Sequence, residues 1–220
     1  MTGPLALVGG TEWTEGCDFD AQLLTLSGGT EVTMLPGAAA FENPAKAIAR
    51  AEGWFGGLGA SVSVVPVYRR AESSDPAAVD AVRRARFIYL ADGSAAHLRS
   101  VLKDTPLVDA LVEAWDDGAV LAASAQAATA LCDVMVDPRG GAFTVGLGVI
   151  TWLTVIPRYD EWSREKAQRT VRMAPASLVV AGIDDRTALI RSPDNEWSVS
   201  GSGKVTLFRD HTLVGLEALM

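Results

Sequence analysis

The stretch AVLAASAQAATALCDVM, Ala119–Met135, decides the fold. Its uncharged opening, with Val120 and Leu121, ends in small residues and turns at once into an alanine-rich segment, so it reads as a buried strand feeding a helix. That reading places Ser124 at the corner. In an elbow of this kind the nucleophile sits on a sharp, strained turn, with its hydroxyl above the sheet and N–H groups of the helix start facing a developing oxyanion. Ala122, Ala123 and Ala125 are small enough for the turn, whereas Gln126 stands where many elbows have a glycine. Ser124 is therefore either a nucleophile or a small residue in a packed turn.

Around this stretch, short β-branched runs alternate with longer amphipathic or alanine-rich segments, the pattern of a parallel sheet with helices on both faces. LALVGG, EVTMLPGAAA, ASVSVVPVY and RFIYLADG read as strands. Asn43–Phe55, the segment DPAAVDAVRRA with Asp75 as N-cap and Pro76 at its first position, Ser94–Leu102 and Pro106–Trp115 read as helices. RYDEWSREKAQRTVRM, beyond Pro157, reads as a charged helix supported by Asp160 with Arg164 and Glu165 with Arg169. The last third is short strands and turns and predicts an antiparallel extension of the sheet. No repeat or linker divides residues 1–220, which read as a single domain. Ligands in open α/β sheets bind at the carboxyl ends of strands, and three such ends carry polar or glycine-rich turns: VGGTEW, LADGS and AASAQ.

Composition narrows the function. A formal charge of -8, with no basic stripe, argues against a phosphate backbone as partner, so nucleic acid is not expected. MTGPLALVGG lacks the basic and apolar regions of a secretory signal and reads as a first strand. Gly140–Pro157 has about the length of a membrane span (~18 residues), but its glycines, β-branched residues and closing proline suit strands and turns, so no membrane is expected. Cys17 and Cys132 lie far apart without metal-ligand spacing and read as reduced thiols of a cytoplasmic protein.

An early VGG, FGGLGASVSVVPV, RFIYLADG, GAVLAASAQAA, GLGVI, VIPRYDEW and VAGIDDRTALI occur in an order that resembles the serine peptidase family containing dipeptidase E and cyanophycinase, within the class I glutamine amidotransferase-like superfamily. The resemblance covers nearly the whole chain. It implies a class I glutamine amidotransferase-like α/β fold and hydrolysis of amide bonds in small peptides or isopeptides, by a serine with a histidine base and without a cofactor or metal. Ser124 matches the nucleophile by position, and Arg158 stands where the family histidine is expected. Arginine stays protonated at any working pH and is no base. The family's Gly-Gly after the fourth strand, an implied source of an oxyanion-hole N–H, is Asp92-Gly93, and a carboxylate there opposes a developing negative charge. Base, oxyanion hole and elbow thus all differ from the family pattern, with Ala125 and Gln126 completing the altered turn. The expectation is a serine peptidase-like chain whose catalysis is impaired or lost. The alternative is a binding or assembly protein on the same fold, for a small peptide or carboxylate ligand, with a homodimer open to it.

Only two histidines could replace the base. His97, one turn into the helix after LADGS, is the nearer to the active edge, and His211 reads as part of a turn between terminal strands. Arg158 is expected to pair with Asp92 or Asp160, or to bind a ligand carboxylate through its planar fork. Glu12, Glu15, Asp18 and Asp20 read as a solvated loop over the pocket, although such a cluster could hold a hard cation. Trp152, Tyr159 and Trp162 read as pocket or core aromatics.

Overall fold

In the computed structural model, which describes residues 2–137 and 139–220, the parallel centre expected from the alternating pattern is formed by β1 (Leu5–Val8), β2 (Glu31–Leu35), β3 (Ser61–Val64), β4 (Phe87–Leu90) and β5 (Val120–Ser124). Their order is β1-β5-β4-β2-β3, all pairs parallel. β1, β4 and β5 are buried at every position, as strands covered on both faces must be. One face packs on α1 (Phe19–Ser27) and α2 (Pro44–Gly57) through Val8, Tyr89, Ala122, Phe19 and Phe55. The other packs on α3 (Pro76–Arg83), α4 (Ala95–Leu102), α5 (Pro106–Asp116) and α6 (Gln126–Leu131) through Leu7, Leu90, Leu121, Leu98 and Leu111.

Local chemistry sets the helix starts. Asp75 accepts from the Ala77 N–H with Pro76 at the first position, as expected, and Asn43 and Ser94 cap α2 and α4 in the same way. The helix α1 was not anticipated. The acidic stretch around its start is solvated only in part: Glu15 and Asp18 are exposed, whereas Glu12 is 2% exposed and Asp20, inside α1, is fully buried.

The last third divides between two sheets. β10 (Thr187–Arg191) lies antiparallel to β1 and β11 (Trp197–Gly201) antiparallel to β10, which is the expected extension. β9 (Val179–Ile183), β12 (Val205–Arg209) and β13 (Thr212–Val214) instead join β8 (Leu153–Pro157) in a second sheet, ordered β13-β12-β9-β8. β8 and β9 are parallel, so the chain needs a crossover between them, and α7 (Arg164–Met173) supplies it. α7 starts later than the charged run suggested, because Tyr159–Glu161 forms a separate 3-10 turn. Among the described residues neither expected helical ion pair forms; Arg169 donates to the Gly140 carbonyl at 2.7 Å. The uncharged run ending at Pro157 contains β7 (Phe143–Val145), hairpinned with β6 (Val134–Val136), and then β8. Among the described residues no helix is long and apolar enough to cross a membrane.

Because β1, β5 and β4 are neighbours, their carboxyl ends bring together the three turns singled out in the sequence.

Candidate active site

The corner of the elbow is one residue further on than the sequence indicated. Ser124 is still strand, in parallel register with Val8, and Ala125 makes the turn, with φ 45° and ψ -109°. A non-glycine residue is strained at such angles, and a strained corner between strand and helix is where an elbow presents its reactive side chain. At Ala125 that side chain is a methyl. Ser124, by strand alternation, faces the α1–α2 layer with Val120 and Ala122. It is fully buried, and its hydroxyl donates to Glu12 Oε2 at 2.9 Å. Glu12 Oε1 in turn accepts from Arg50 Nη2 at 2.8 Å.

Two backbone N–H groups at the turns aim at one point, as oxyanion donors do. Gly93 N and Gln126 N both donate to Asp92 Oδ1, at 2.7 and 3.0 Å. Gly93 has φ +153°, and a Cβ there would collide with the Ala38 backbone, so the close approach requires glycine. The other carboxylate oxygen, Asp92 Oδ2, accepts from Arg158 Nη2. Arg158 Nε lies 3.6 Å from Asp185 Oδ1. Burial by itself would lower the Arg158 pKa, but Asp92 and then Asp185 outweigh it and hold the guanidinium above its usual value. Arg158 therefore pairs with Asp92, as expected, and with Asp185; Asp160 accepts the Asp185 N–H at 3.0 Å and fixes that turn.

Arg158 reaches the first sheet from the second. Its own φ is 47°, and its N–H donates to the Gly9 carbonyl at 2.9 Å. Gly10, φ +150°, leaves room for it: a Cβ there would stand 3.0 Å from Arg158 Cγ and 2.5 Å from Asp185 Oδ1.

The remaining candidates are not brought to this point. His97 Nε2 lies 3.0 Å from the Tyr68 carbonyl and its ring meets Phe41 edge-on at 4.8 Å. Among the described residues neither His97 nor His211 hydrogen-bonds Ser124. Tyr159 packs over Gly182 and against Phe208, within the second layer. Asp20 accepts from Trp54 Nε1 at 2.9 Å, and burial, partly opposed by that bond and helped by Glu12, pushes its carboxyl up to about 8. Cys17 and Cys132 are unpaired and buried, and burial raises both thiols, Cys132 to about 12, which leaves them inert at neutral pH.

Beside the elbow opens a cleft of about 640 Å³, lined by Gly93, Ser94, Arg99, Gln126, Glu42 and Arg139 among others. Gln126 Oε1 and Arg99 Nε are buried on its wall without a hydrogen-bond partner. The site residues not anticipated from the sequence are Asp185 and Arg50, and Ala125, expected beside the corner, is the corner itself. Asp185 had a sequence signal, since it stands in the IDD of the VAGIDDRTALI run.

A mostly parallel α/β sheet with a strained strand-to-helix corner beside converging backbone donors is the class of fold built around an elbow. A match to the model of peptidase family S51 over residues 5–196 is more specific, and the chain belongs to that family, the dipeptidase E family. No curated protein matches the chain. A crystal structure of a peptidase from an acI-B1 Actinobacterium is similar, with a TM-score of 0.87 and 26% identity, covering 97% of this chain and 93% of that one. A protein assigned as a peptidase E, from Listeria monocytogenes EGD-e, shares the fold, with a TM-score of 0.66 and 16% identity over 95% of this chain and 99% of that one.

Proposed function

We propose that this S51 chain does not hydrolyse amides and serves as a binding protein for a small, carboxylate-bearing peptide held in the cleft beside the elbow. The observation that carries this reading is the Asp92 carboxylate, which accepts both N–H groups that an oxyanion would need. Three further features support it. The corner side chain is a methyl, the residue at the histidine position is an ion-paired arginine, and Ser124 is fully buried against a carboxylate. A serine without a histidine base, tied instead to a buried, arginine-paired carboxylate, and without vacant donors lacks the two largest contributions to acyl transfer. Arginine and carboxylate side chains both line the cleft, which suits a zwitterionic ligand.

Labelling with a fluorophosphonate, read by intact mass, tests the catalytic half. The wild type is expected to give no adduct, and a stoichiometric adduct lost in Ser124→Ala would overturn the reading. The triple variant Ala125→Ser, Asp92→Gly, Arg158→His rebuilds nucleophile, donors and base, and is expected to label at residue 125. Thermal shift with a panel of dipeptides tests the binding half. Stabilisation by a subset, lost in Arg99→Ala, is expected; an unresponsive Tm across the panel would remove the ligand assignment and leave an assembly role.

A further inference from the structure

At the opposite end of the main sheet Arg191 is placed unlike the other arginines. It closes β10 opposite Leu5, at the amino end of β1, while the elbow lies past the carboxyl end. Its guanidinium lies between two indoles, Cζ being 5.0 Å from the Trp115 ring centroid and 5.9 Å from that of Trp152. Nη2 donates to the Gly3 carbonyl at 3.1 Å, and Nε is buried with no partner. Among the described residues no carboxylate lies within 4 Å of this cation; Asp116 acts on it only through space, and burial lowers its pKa. A partly desolvated guanidinium normally has an anion to offset its lost hydration.

The surroundings form a groove. Arg191 and Asn195 line two adjoining hollows of about 430 and 190 Å³. Thr2, Pro193 and Asp194 complete the larger, and Trp152, Trp197 and Leu219 the smaller. Trp197 faces Arg191 across the β10–β11 pair and has its own Nε1 buried without a partner, so the smaller hollow has unfilled donors and aromatic walls but no acid. Trp152 is 37% exposed and so offers an open ring face to the hollow it lines. We propose that this groove is a second binding site, for a small aromatic carboxylate whose anionic group meets the Arg191 guanidinium and whose ring lies on Trp152. Arginine supplies both parts of that recognition, a planar fork for the carboxylate and a cation that orients neighbouring rings. The site is remote from the elbow and does not depend on whether the chain hydrolyses anything.

Titration of the full chain with sodium benzoate, followed by indole N–H resonances in proton–nitrogen correlation spectra, tests the proposal. Trp152→Phe and Trp197→Phe assign the two signals. The expected result is saturable movement of both, with acetate and benzyl alcohol, each carrying half of the chemistry, bound about tenfold more weakly or worse. Arg191→Met is expected to abolish the shifts. Arg191→Lys, which keeps the charge and the tie to Gly3 but not the fork, is expected to weaken binding by about tenfold and covers the case in which the methionine variant does not fold. The proposal is overturned by an absence of saturable shifts in the wild type, by equal binding of benzyl alcohol, or by undiminished binding in a folded Arg191 variant.

Discussion

Asp92 is the residue on which the site turns. Its two oxygens take up two backbone donors and one guanidinium, so each substitution has a distinct expected result. Arg158→Ala leaves a part-buried carboxylate without its cation and is expected to cost about 1–3 kcal/mol of unfolding free energy. Urea denaturation of the single and double Ala variants at positions 92 and 158 should show strong coupling, because each single change takes from the other charge its nearest ion-pair partner and leaves Arg158 with the longer contact to Asp185; additive losses would mean that the pair contributes little. Asp20 carries a different prediction. Its carboxyl titrates at 3.8 in the reference state and about 8 in the fold, so between those values the folded chain holds a proton that the unfolded chain has lost. The associated stability is complete at low pH and is lost as pH rises toward the folded value, with a slope of about 1.4 kcal/mol per pH unit. Asp20→Asn, an imitation of the protonated form, is expected to flatten stability between pH 5 and 8; a slope equal to the wild type would remove Asp20 as its source.

Between β4 and α4 the chain passes close to the Ala38 backbone at Gly93. Gly93→Ala would press a methyl into the Ala38 backbone at a φ that disfavours any side chain, and is expected to cost well over ~1 kcal/mol and to lower Tm accordingly. Elements also show what could be read in the sequence and what could not. Apolar runs such as LALV and FIYL, capped helices such as the one behind Asp75, and the order of turns announced the parallel centre and the edge where a site would lie. The corner was misplaced by one residue because AASA offers small side chains at every position, and only the backbone angles separate strand end from turn. Glu12 and Asp20 looked solvated, as Glu15 and Asp18 are, because charge alone does not reveal burial. The partners that make burial tolerable, Arg50 for Glu12 and Trp54 for Asp20, lie 38 and 34 residues away. The second sheet was hidden for a related reason, since short terminal strands carry no label for the sheet they join.

On the scale of the whole molecule, the site is also a joint. Arg158 and Arg186 donate their N–H groups to the Gly9 and Gly10 carbonyls, and the Arg158 side chain reaches on to Asp92 at the end of β4, so the second sheet is fastened to the first across the elbow. The triple variant built for labelling is therefore expected to have a lower Tm than the wild type even if it gains reactivity, since it gives up that link; an unchanged Tm would show that the joint rests on the backbone bonds alone. The filled donors have a consequence for the history of such a chain. A serine restored at position 125 meets N–H groups already satisfied by Asp92, a glycine restored at 92 faces a methyl, and a histidine restored at 158 has no hydroxyl to serve. If the chain is inactive as proposed, no single step toward hydrolysis is expected to yield activity, while two of the three are expected to weaken the fold. Under the proposed reading the three positions are bound by epistasis, and that makes the loss of the reaction hard to reverse by stepwise mutation.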